Sequence, residues 1–103
     1  MIAATEPYTI VFPEWYDERA EFETPDKGFL NGVVVRTAEG VAYRLYFSDP
    51  ARLQQTMEDD AKRGRIYYTE PGLVVLPEVT TEAIRAAVAG LWRDRFFEHL
   101  KAC

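Results

Sequence analysis

The chain has 103 residues, 48% hydrophobic and 28% charged, with a net charge of −5. That size and balance suit one folded domain and exclude wholesale disorder. The acids are unevenly placed: residues 1–30 hold seven acids against Arg19 and Lys27, whereas residues 31–103 hold ten of each sign. An acidic chain without a basic stripe is repelled by phosphate backbones, so nucleic acid is not expected as a partner.

Aromatic residues make up 14% of the chain, enough to build a core without covalent staples. The single cysteine, Cys103, leaves no intramolecular disulfide to form. The start of the chain lacks the basic and apolar regions of a signal peptide, and no run of 18 apolar residues exists to span a membrane. A cytoplasmic protein with no membrane partner is the expectation.

Tyr8–Phe12 is a β-rich run stopped by Pro13, and a strand is expected there. Residues 14–31 are ambiguous. Ala20, Phe22 and Thr24 alternate with Glu21 and Glu23, as on a half-buried edge strand. A short helix over 14–22 is the competing reading. Like charges four apart, Glu14 with Glu18 and Asp17 with Glu21, oppose it. Irregular structure with a short strand is therefore expected, closed by a turn at Asp26-Lys27-Gly28.

Val33–Thr37 and Val41–Phe47 read as a β-hairpin. A three-residue loop, Ala38-Glu39-Gly40, gathers Val33, Val35, Val41, Tyr43, Leu45 and Phe47 on one face and puts Gly40 at the left-handed position. The opposite face then carries Val34, Arg36, Ala42, Arg44 and Tyr46.

Asp49 before Pro50 is a helix start, and Gly64 after Lys62-Arg63 is a stop. Leu53, Met57 and Ala61 form its apolar stripe. Arg65–Thr69 and Leu73–Leu76 are predicted as two further strands around a turn at Glu70-Pro71-Gly72. Leu73-Val74-Val75-Leu76 is apolar on both faces, so a central strand covered on both sides is expected. A last helix, capped by Thr80 or Thr81, is predicted to run to about Lys101 with Ile84, Ala87, Val88 and Leu91 toward the core. The fold expected is α+β: about five mostly antiparallel strands with two helices packed on them, in one domain over 1–103.

The chain holds one histidine, His99, with Cys103 one turn later; a terminal turn frays, and a frayed pair is poorly preorganised for catalysis. No zinc, calcium-loop or phosphate-loop spacing is present, so no catalytic residue, metal or cofactor is assigned. Two surfaces remain. Past Gly90 the apolar stripe rotates to Trp92, Phe96 and Leu100, while Arg95 falls where a core residue belongs and Phe97 points elsewhere. Trp92, Arg95, Phe96, Phe97 and Leu100 thus form a candidate docking surface for a partner protein or a second copy of the chain, to which Trp15 and Tyr16 would add if they lie near. Arg36, Arg44 and Tyr46 form a candidate anion site. The expected function is a non-enzymatic interaction module; a small-ligand binder or enzyme using arginine, tyrosine and carboxylate side chains is the alternative.

Overall fold

The structure is a computed structural model and describes residues 7–102. Its elements are β1 (Tyr8–Val11), α1 (Glu18–Lys27), β2 (Phe29–Thr37), β3 (Ala42–Ser48), α2 (Pro50–Lys62), β4 (Leu73–Val75) and α3 (Thr81–Arg93), followed by a 3-10 turn at Phe96–His99. The class is α+β, with a four-stranded sheet in the order β1-β2-β3-β4 in place of five strands, and with three helices.

The β2–β3 hairpin has the expected loop. Arg36 pairs with Ala42 and Val35 with Tyr43. The Gly40 amide donates to the Thr37 carbonyl, with Gly40 at φ 89°. Val33, Val35, Leu45 and Phe47 consequently share one face and are fully buried. β2 begins four residues before the expected strand, and a bulge explains why. The register shifts between Asn31 and Val33, leaving Gly32 as the extra residue at φ 86°. Without a bulge, Leu30 and Val33 would point to opposite faces. With it, both are buried in the same core.

Residues 18–27 are helical, which corrects the expected irregular segment and short strand. The like-charge argument failed because the acids sit at the end where acids are favoured. Asp17 is the N-cap and its Oδ1 accepts from the Ala20 amide at 2.9 Å. Glu18 and Glu21 lie in the first turn, at the positive end of the helix dipole. Glu14 lies outside the helix, and Arg19 pairs with Glu23 at 3.3 Å. The helix closes at Gly28, whose amide donates to Thr24 and whose carbonyl accepts from the Asp49 amide at the head of α2.

α2 has the expected caps: the Asp49 carboxylate accepts from the Arg52 amide at 2.7 Å, and Pro50 opens the first turn. None of its residues is buried. The predicted strand Arg65–Thr69 is absent; this segment has no regular structure and Ile66 is 92% exposed. With no partner strand before it, β4 is no half of a hairpin. It pairs in parallel with β3 at the sheet edge, Phe47 opposite Val74, after the α2 crossover. The expectation of a central, doubly covered strand is thereby corrected. Val74 joins the core, while Val75 is 46% exposed on the other face beside the Leu53–Met57–Ala61 stripe of α2. That stripe shields the outer side of β4 in part, which is why the strand is apolar on both sides.

The Glu70-Pro71-Gly72 turn forms as expected, the Leu73 amide donating to the Glu70 carbonyl at 3.1 Å. Gly72 is required twice over: φ is 80°, and a Cβ there would lie 2.4 Å from the Arg44 carbonyl oxygen. α3 is capped by Thr80, whose Oγ1 accepts from the Ala83 amide at 3.0 Å. Its Ile84 and Val88, with Val79 before it, close the core over β2 and β3.

Candidate functional site at the end of the last helix

α3 does not run on to Lys101. It stops at Arg93, and two residues later the chain reverses. The Asp94 amide still donates to the Gly90 carbonyl, and the Arg95 amide donates to Trp92 at 3.2 Å. Arg95 then takes φ 62° and ψ 28°, the one left-handed non-glycine residue among those described. This reversal takes the place of the continuous helix with a rotated apolar stripe that the sequence predicts.

The reversal drives Phe97 inward, where it is 5% exposed and belongs to the core. Its ring lies 5.2 Å from Tyr43, 5.5 Å from Phe96 and 6.0 Å from Trp92, and Trp92 in turn lies 5.3 Å from Tyr8. Each such pair contributes about 0.5–1.5 kcal/mol beyond area burial, so the terminal turn is pinned to the sheet by an aromatic chain. Phe96 and Leu100 are half-buried against the same core. Arg95 points away from it, its side chain 78% exposed.

A cleft of about 460 Å³ opens between this turn and the tip of the β2–β3 hairpin. Trp92, Tyr43, Phe97 and Val41 supply its apolar surface. Arg93, Arg95, Glu39 and Glu98 supply two charges of each sign. Arg95 pairs with Glu98 at 3.4 Å and Arg93 with Asp94 at 3.8 Å, all on exposed side chains, so these pairs are weak and exchangeable.

The structure thus brings Trp92, Arg95 and Phe97 together at one cleft, with Phe96 and Leu100 packed behind it. Tyr43, Val41 and Glu39 were not anticipated there. The hairpin register already placed Tyr43 and Val41 on the core face, but nothing in the sequence set the hairpin tip against the end of α3. Trp15 and Tyr16 lie elsewhere. The Tyr16 hydroxyl is 2.9 Å from that of Thr81, at the opposite end of α3. Eleven residues of helix, roughly 16 Å, separate Thr81 from Trp92.

The candidate anion residues are spread along the outer sheet face. Arg36 and Arg44 are exposed, opposite Ala42 and Val34. Tyr46 lies four residues along β3 from Ala42, about 13 Å away, and meets the Phe29 ring edge-on at 6.5 Å. The neighbouring Tyr68 phenol is pushed above its ordinary pKa, first by burial and then by the Tyr46 and Glu70 oxygens. His99 ends the 3-10 turn, exposed, and Cys103 lies outside the described residues. No helix among the described residues is long and apolar enough to cross a membrane. Comparison with protein-family models, with curated proteins and with solved structures finds no match for the chain.

Proposed function

We propose that this protein is a cytoplasmic, non-enzymatic interaction module that grips a segment of another protein in the cleft between the hairpin tip and the end of α3. The observation that carries this reading is Arg95. Its backbone conformation costs an ordinary residue about 1–2 kcal/mol, and glycine adopts it freely. The side chain recovers little of that among the described residues, where its ion pair, with Glu98, is exposed. An arginine at a glycine position, on the rim of an aromatic-walled cleft, fits a residue kept for binding.

The cleft's make-up supports the same reading. Aromatic and arginine side chains are those enriched where proteins meet, and equal numbers of both charges suit a polar peptide. Selection of binding peptides from a random display library tests it. Amide shifts of the labelled protein are expected to map the selected peptides onto Glu39, Val41, Tyr43 and residues 92–98. Peptides that map consistently onto Arg36 and Arg44 would overturn it in favour of the anion-binding alternative. Light scattering over a range of concentrations, on wild type and Arg95→Glu, then separates a second copy from a foreign partner.

A further inference from the structure

The acidic helix α1 carries a second surface, apart from the cleft. Its one large aromatic, Phe22, is 82% exposed. At 100° per residue, Phe22 stands 200° around the helix from Thr24, which is α1's buried residue. Phe22 therefore sits at the middle of the outward face. Glu18 and Asp26 lie one turn before and after it on that face, and Phe22 with Asp17, Glu18, Arg19 and Glu21 lines a shallow groove.

The fold accounts for some of these acids and leaves others unexplained. Glu18 and Glu21 stabilise the helix start. Asp26 lies in the last turn, exposed, where a carboxylate opposes the helix dipole. Residues 14–27 hold six acids against Arg19 and Lys27, a net −4 out of the chain's −5. Of those two cations, Arg19 is already paired with Glu23. An exposed aromatic ringed by carboxylates in excess of cations has the anatomy of an interface hot spot, with an apolar anchor at the centre and a charged rim.

We infer that the outer face of α1 docks a basic, amphipathic segment of a partner protein, taking Phe22 between its apolar side chains and pairing its lysines or arginines with Glu18, Glu21 and Asp26. Charge complementarity selects that occupant. The field attracts cations and speeds their encounter, and it repels nucleic acid, anionic lipid and the chain's own acidic face.

The test uses an 18-residue peptide of leucine and lysine with leucines at helical i, i+3, i+4 and i+7 spacing, alongside a scrambled peptide of the same composition. At 50 mM salt, calorimetry is expected to show the patterned peptide binding at least tenfold more tightly than the scrambled one. Phe22→Ser is expected to remove that preference, and Asp26→Asn to weaken binding severalfold. Asp26→Asn keeps the inference testable if other changes melt α1, because it relieves the dipole conflict. Glu58→Gln with Asp59→Asn on α2 should change affinity less than twofold. Equal loss from the α2 pair, or binding indifferent to Phe22→Ser and Asp26→Asn, would overturn the inference. Neither result bears on the cleft, whose ligand is probed by different variants.

Discussion

The two faces of the sheet are built for different ends. On one, Val33, Val35, Leu45 and Phe47 meet Ile84 and Val88 of α3 and leave no exposed surface. On the other, Val11 and Val75 remain exposed, Arg36 and Arg44 stand among them, and α2 crosses without burying any of its residues. Apolar side chains lie on both faces, so composition alone does not separate them. What separates them is closure: α3 seals its face with a capped amphipathic helix and then with the Phe97 plug, while α2 leaves an open groove beside Val75. Stability is therefore concentrated on the α3 side.

That contrast can be broken by substitution. The largest effect is expected for Val35→Asp, which buries an unpaired charge in the sealed face. A loss of at least about 4 kcal/mol, seen as absent cooperative unfolding, is expected. Gly72→Ala comes next. It forces a Cβ against the Arg44 carbonyl and a side chain into positive φ, for an expected loss of about 2–3 kcal/mol in urea unfolding. Val75→Asp places the same charge on the open face, and less than about 1 kcal/mol is expected. A Val75→Asp variant as damaged as Val35→Asp would show that α2 seals the outer face after all.

The smallest effect is a matter of pH. The Tyr68 phenol is held above its ordinary pKa in the folded chain, so folding favours its neutral form. Its contribution is fully present below about pH 10, the value in the unfolded chain, and is lost as pH rises through the folded value. Unfolding monitored from pH 8 to 12 is expected to show a steeper alkaline loss in wild type than in Tyr68→Phe.

Much of the sealed face was legible in the sequence, because its signals are local. Gly40 and the alternation around it define the hairpin register, and Thr80 starts α3; on the open face, Asp49-Pro50 starts α2 by the same kind of signal. The parts that were not legible depend on relations a pattern does not carry. The Gly32 bulge breaks the alternation that would have marked Phe29–Asn31 as strand. α1 was hidden by an acid pairing that its cap and dipole convert from repulsion to support. β4 was misplaced because four apolar residues look the same when one face is shielded by a helix as when both are buried. At the cleft, Trp92, Arg95 and Phe97 were legible as a break in the α3 stripe. Their companions Tyr43 and Glu39 were not, since they come from a hairpin some fifty residues earlier.

The central claim, that Arg95 is kept for binding at a conformational cost, is most directly tested by Arg95→Gly. Thermal unfolding and affinity for a cleft-selected peptide would be measured on the same sample. Stability unchanged or raised by up to about 1 kcal/mol, with affinity reduced at least tenfold, is the expected result. A clear loss of stability would show that the arginine serves the fold, and affinity left intact would show that it is not kept for binding.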